Sequence, residues 1–405
     1  MTPMFCLHAA LLLLPFATLR GAETSPLQIT DRSIIFKHTS TDPKDAANTS
    51  GFNQGPSINV LPDGRVMAAW FSSPSEGAES QRIMQAFSSD QGPTWSEATV
   101  LQDFAGKADF DPALFVAGKE TFLFFSAFNP QIDIYFRRSS DSAKTWTEPV
   151  KLGQPNHTTR SNGIQLSTGE LLVPLHTRGT KAGGVMKSRD GGKTWTRFGA
   201  VANPEGQGGE PTIAETKSGA IHMLLRTKDG QLWRSISTDK GETWSTAEKT
   251  GLTATSSASH LLCTRDGTLV LTYNPGPTPL RFPLLMRTSR DEGVNWSEPM
   301  RLADWPGKVG GWSVCYPAVT ELADGTLVAI WVQLKSSPGE LHGDIHSARI
   351  VLKKESHDEI HLHTPHYAAA RATGHTASAR LPPCHRRASK DWLAAHSRRA
   401  RLCRR

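Results

Sequence analysis

The chain has few features that would announce a function by themselves. Its most apolar stretch near the start, Ala9 to Ala17, is too short to cross a bilayer. Cysteine is scarce at five residues, with no Cys-x-x-Cys pair and no Cys/His set at zinc spacing, so neither a structural metal nor an assignable disulfide framework is expected. A net basic excess is missing from most of the chain. Of the net charge of +7, residues 353–405 supply the excess with twelve Lys and Arg against four Asp and Glu, which leaves the remainder near neutral. The pI of about 9.2 therefore gives no reason to expect a nucleic-acid partner.

These gaps also delimit the ends. Residues 1–23, an apolar run followed by the small residues Gly21-Ala22, read as a secretory signal peptide, which implies a secreted or periplasmic protein with no membrane span once it is removed. Beyond residue 352 the composition turns to Ala, Arg, His and Pro without a strand period, so 353–405 read as a basic, disordered tail. His361, His363 and His366 are read as solvated parts of that tail and not as metal ligands. The segment between, 24–352, is expected to be one domain, and a monomer.

What is present is repetition. SRDGGKTW from Ser188 has near-copies SSDQGPTW from Ser88, SSDSAKTW from Ser139, STDKGETW from Ser237 and SRDEGVNW from Ser289. The aspartates Asp90, Asp141, Asp190, Asp239 and Asp291 are separated by 51, 49, 49 and 52 residues. A period near fifty points to a propeller or an array. Each copy suits a tight turn: the Asp accepts from downstream N–H groups, the Gly takes a positive φ, and the Trp buries a large apolar surface.

A second periodic signal lies between the first. Turns at Asp63-Gly64, Ala117-Gly118, Thr168-Gly169, Ser218-Gly219, Asp266-Gly267 and Asp324-Gly325 each precede an apolar, strand-like run, such as Val66 to Trp70 or Thr326 to Ile330. Six hairpins against five Asp turns predict an all-β, six-bladed β-propeller of four-stranded antiparallel blades, one blade lacking its Asp turn. A first strand at Ser33–Lys37 is expected to pair with a last one at Asp344–Leu352 and close the ring.

The Asp turns, together with Gly55 to Gly64, Gly209 to Glu215 and Tyr316-Pro317-Ala318-Val319, resemble the sialidase (neuraminidase) superfamily in its bacterial BNR-repeat branch, over about residues 50–350. The resemblance implies an exo-acting, retaining glycosidase that removes a terminal sialic acid or related acidic sugar without a cofactor or metal. In that family a Tyr attacks the anomeric carbon. A neutral phenol approaches a carboxylate-bearing centre more readily than an anionic Asp does. Tyr316 falls in the nucleophile slot and Glu210 in the slot of its base. Arg226 and Arg281 match two of the three arginines that hold the substrate carboxylate, with Arg287 the less suitable alternative to Arg281 because it lies near the Asp turn. Guanidinium suits that task because it pairs bidentately and stays charged.

Two slots depart from the pattern. The first arginine, usually in Arg-Ile-Pro, is replaced by Gln54 in Gln54-Gly55-Pro56, and Arg160 is the candidate substitute. No Asp lies between Asp63 and Asp90 to serve as general acid; Glu76 and Glu79 are the carboxylates there, Glu79 is preferred, and Asp111 is a further candidate. Trp312, His260 and Asn274 are assigned to packing or turns. The departures leave two other readings open: a non-catalytic propeller that binds glycan or protein, or a relative acting on a different sugar. A scaffold for a larger assembly is a third.

Overall fold

The computed structural model describes residues 25–39, 50–202, 208–276, 280–305, 311–337 and 340–353. The expected signal segment, and the tail with its histidines and two cysteines, lie outside the described residues. Among the described residues no helix is long and apolar enough to cross a membrane, and Cys263 and Cys315 are free thiols.

Six antiparallel sheets follow one another along the chain, as the repeat predicts. Their innermost strands are Phe52–Val60, Ala108–Ala117, His157–Thr159 with Ile164–Gln165, Gly208–Glu215, His260–Cys263 and Trp312–Glu321. The sixth blade takes its outermost strand from the start of the chain: Leu27–Phe36 pairs with Glu340–Leu352, from Leu27↔Leu352 to Phe36↔Ile345. That strand is longer than the expected Ser33–Lys37. Register shifts at Ile29/Asp31 and Ile34/Phe36 let it follow the twist of its partner.

The third blade departs from the simple pattern. Its inner strand is in two pieces, both paired with Leu171–Thr177, and residues 160–163 bridge them. Within the bridge Gly163 packs against Phe115 of the second blade, where a Cβ would stand 2.5 Å from the ring.

Cores lie between adjacent blades, where second strands such as Val66–Ser73 and Glu120–Phe128 are buried along nearly their whole length. Each of the five Asp turns clips its blade to the one before it. In the third blade, Asp190 accepts from Thr194 N (2.9 Å), Thr194 Oγ1 (2.6 Å) and Ser188 Oγ (2.8 Å), which fixes the turn. Trp195 then packs edge-on against Phe124 of the second blade, with centroids 4.7 Å apart, a geometry contributing about 1 kcal/mol beyond area burial. In the last copy the amide of Asn295 donates to Asp291 at 2.7 Å in place of a Thr hydroxyl, so that substitution preserves the turn.

Ala143 replaces the turn glycine of the second copy at φ 62°, and it shares a core cluster with Met67, an unbranched side chain that can yield. Gly192 has no such room, because a Cβ there would lie 2.4 Å from Phe122. Gly192→Ala should therefore cost about 1–3 kcal/mol in denaturant unfolding, and less in a Phe122→Leu background. A cost below about 0.5 kcal/mol, the size of an ordinary surface change, would contradict this account of the clip.

Candidate active site

Four of the six inner strands carry an X-Pro pair at the same place: Gly55-Pro56, Asp111-Pro112, Glu210-Pro211 and Tyr316-Pro317. Proline cannot donate to the ladder, and in each strand the register skips these two residues, between Gln54 and Ser57, Phe110 and Ala113, Gly209 and Thr212, and Cys315 and Ala318. The residue before each proline has positive φ: 62° at Gly55, 52° at Asp111, 41° at Glu210 and 54° at Tyr316. Left-handed backbone costs a non-glycine residue about 1–2 kcal/mol, and a following proline disfavours it further. What the strain achieves is direction, because Asp111, Glu210 and Tyr316 line one hollow of about 240 Å³ at the entry ends of the inner strands.

Glu210 and Tyr316 share one donor, Arg226, which does not itself line the hollow. Nη1 of Arg226 lies 2.6 Å from Glu210 Oε2 and 3.3 Å from the Tyr316 hydroxyl, and its Nε donates to Ser256 Oγ at 3.1 Å. Phenol and carboxylate are thus joined through one guanidinium and not to each other. Arg281 lies over the Tyr316 ring, 5.3 Å from its centroid, held where its carbonyl accepts from Val314 N at 2.8 Å. Behind Glu210, Gly209 is required at φ 108°, since a Cβ would meet the His176 ring at 2.7 Å.

Burial pushes the Glu210 carboxyl up, but the guanidiniums of Arg226 and Arg160 outweigh it and hold the group down at about 2. Asp111 goes the other way. Its burial, opposed by Arg160 and reinforced by the negative charge of Glu210, raises it to about 7. Burial and Glu210 also push the Tyr316 phenol up to about 12, against the pull of Arg226 and Arg281. Near neutral pH the hollow therefore contains an ionised carboxylate, a neutral phenol and a carboxyl that is half protonated. Two carboxyls with protonation so far separated are suited to opposite acid–base roles.

Other expected residues fall as follows. Gln54 is buried and lines the hollow. Glu79 is exposed and does not line it, whereas Glu76, in the same loop, does. The loop turns back at Gln81, whose Oε1 accepts from Gly77 N at 2.8 Å, and this leaves Glu79 outside the hollow. Arg160 does not reach in as a substitute clamp: it is 3% exposed and lies under the Tyr316 ring, 4.6 Å from the centroid, because the split in the third inner strand turns it inward. Arg287 points to Tyr273 Oη and Ser297 O, away from the hollow. Trp312 stacks on Trp305, and Asn274 bonds Pro283 O and Val314 O. His260 lines a larger hollow of about 490 Å³, bounded by the opposite ends of the inner strands and lacking the Asp111, Glu210 and Tyr316 set.

Sequence reasoning missed Arg178, which lines the smaller hollow and follows Leu171–Thr177 much as Arg226 closes Ile221–Thr227. It also missed the apolar wall of Phe71, Phe110, Phe128 and Ile132. Asp111, a further candidate from the sequence, does line the hollow, and the recurrent X-Pro pair is the signal that groups it with Glu210 and Tyr316.

A family model described as BNR repeat-like domain matches residues 64–329. This chain belongs to the sialidase and BNR-repeat superfamily. An exo-alpha-sialidase of Aspergillus fumigatus is 26% identical to this superfamily member over 202 residues, 47% of this chain and 43% of that protein. An exo-alpha-sialidase of Arthroderma benhamiae is 32% identical over 96 residues, 22% of each chain. The matches span less than half the length of either relative. Among solved structures, the leech intramolecular trans-sialidase superposes with a TM-score of 0.63 at 18% identity, covering 78% of this chain and 70% of that one. The Ruminococcus gnavus intramolecular trans-sialidase gives 0.62 at 18%, covering 79% and 99%. A Dyadobacter fermentans protein of unknown function gives 0.65 at 17%, covering 81% and 99%. At these identities the structural likeness is one of fold.

The raised carboxyls make stability depend on pH. Asp111, and Asp109 beside it, also raised by burial to about 7, favour folding while protonated. That contribution is complete below the unfolded value of about 4 and is lost as pH rises through about 7. Denaturation midpoints should therefore fall between pH 4 and 7 on their account, and Asp111→Asn should flatten part of the slope. An unchanged slope in both Asp111→Asn and Asp109→Asn would contradict the assignment.

Proposed function

We propose that this superfamily member is an exo-acting glycosidase of sialidase type that removes a terminal sialic acid or related acidic sugar with retention. The observation that carries the reading is the sharing of Arg226 Nη1 by Glu210 and the Tyr316 hydroxyl at the mouth of the propeller. An entering carboxylate would take hydrogen bonds from Arg226 and Arg281, loosening Arg226 from Glu210 and letting Glu210 receive the phenolic proton. Tyr316 Oη then bonds to the anomeric carbon as the glycosidic C–O bond breaks, and the leaving oxygen takes its proton from Asp111. In the second step water attacks the tyrosyl-linked sugar and gives a proton to Asp111, while Glu210 returns its proton to the departing phenolate oxygen. Two inversions give net retention.

Asp111 is preferred to Glu79 as the acid because it lines the hollow and keeps its proton near neutral pH. The relatives' printed activity, exo-alpha-sialidase, supports the reading, and the apolar segment within 1–23 supports a secreted or periplasmic location.

One observation favours a second reading, a non-catalytic glycan-binding propeller: Gln54 offers hydrogen bonds but no charge where this family places its first arginine. Hydrolysis of a fluorogenic sialoside separates the two. The enzymatic reading expects turnover that falls as pH rises through about 7, and losses of about 10²- to 10⁴-fold in kcat for Tyr316→Phe and Glu210→Gln. Turnover indifferent to both changes would reject these roles, and saturable glycan binding without turnover would establish the second reading.

A further inference from the structure

Arg160 has no part in the scheme above, yet its placement is unusual. It follows the short inner strand His157–Thr159 of the third blade, at the point where the chain leaves the sheet before Ile164–Gln165. Thr159 Oγ1 donates to the Asp111 carbonyl at 2.9 Å, tying this corner to the bulge of the second blade. Thr158 Oγ1 contacts the His176 ring that backs Gly209, tying it to the bulge of the fourth. The guanidinium itself packs on the Tyr316 ring of the sixth blade, and its Nε is buried with no hydrogen-bond partner. A cation is costly to bury without compensation.

We infer that Arg160 is a positioning residue, a buried cation from the third blade that binds the Tyr316 ring and the carboxyls of Asp111 and Glu210 into one electrostatic unit. Its neighbours support this from every side. Asp111 also faces Glu210, Arg178 and Glu76, and Arg160 is the strongest influence opposing the rise of its proton affinity. Glu210 is held ionised by Arg226 first and Arg160 second. His260 of the fifth blade and Cys315 beside Tyr316 complete the surroundings, both buried, the imidazole held neutral. In this arrangement a guanidinium below the floor supplies positive charge where position 54 supplies none, and it does so without touching substrate.

The inference rests on the proposed function for its catalytic meaning but can be tested apart from it. Carboxyl titration of the substrate-free protein, followed by infrared difference or carbon-13 NMR and assigned with Asp111→Asn, should place Asp111 near 7. In Arg160→Met its midpoint should rise by about one to three pH units, and in Arg160→Lys it should stay within about half a unit, since the charge is kept. If hydrolysis occurs, its alkaline limb should move by the same amount. A folded Arg160→Met with an unmoved midpoint would overturn the inference. Should Arg160→Met not fold, Arg160→Gln, which removes the charge but keeps a polar side chain, takes its place, and an unmoved midpoint there would also overturn it. Coupling without any hydrolysis would sink the proposed function and leave this inference standing.

Discussion

The left-handed bulge before a proline is the constraint on which the rest of this site depends. In a regular inner strand, side chains alternate between the two neighbouring blades, and all would be consumed by packing. At Asp111, Glu210 and Tyr316 the skipped register and positive φ release one side chain per strand from that alternation and send it to the mouth. Gly55 marks the same bulge in the first blade. A Cβ there would stand 2.6 Å from the Phe71 ring and 3.3 Å from Asp111 Oδ1. Glycine at this position keeps space beside Asp111 open. Strain of this kind persists only where the surrounding structure enforces it, and here the closed ring and its Asp-turn clips do so.

The electrostatics follow from that geometry. Bulges from the second, fourth and sixth blades bring two carboxyls and a phenol close enough that they cannot all hold the same charge state. Arg226 contacts Glu210 directly and settles it as the anion, and Asp111, with only through-space help from Arg160, keeps a proton to about 7. The separation of roles is thus a consequence of which blade supplies a contact guanidinium and which supplies a distant one. The outer ring is indifferent to this. The Asp-turn carboxylates are all held below the ordinary carboxylate range by their own Ser, Thr or Asn partners, so they stay ionised across the pH range in which the mouth changes state.

Much of the fold was legible because it is written periodically. Repeated Asp turns and glycine hairpins fixed the blade count, and the strand closing the sixth blade followed from the remaining ends. Tyr316 and Glu210 at blade heads, with Arg226 and Arg281 further along their blades, were legible as a set from a family pattern, and they lie together. Arg160 and Glu79 were not. Loop carboxylates at 76 and 79 are equivalent as sequence, and only the bond from Gly77 to Gln81 decides which faces inward. Arg160 reads as a residue at a blade head like the others, and nothing local reveals that the third inner strand breaks there.

Everything turns on whether Tyr316 supplies the atom that bonds to the sugar. Incubation with a fluorinated sialosyl fluoride, which slows release of a covalent intermediate, followed by peptide mapping and mass spectrometry, addresses it directly. The account predicts one sialosyl adduct, on the peptide containing Tyr316 and absent in Tyr316→Phe. Turnover of a sialoside with the adduct on another residue, or with none formed at all, would contradict it.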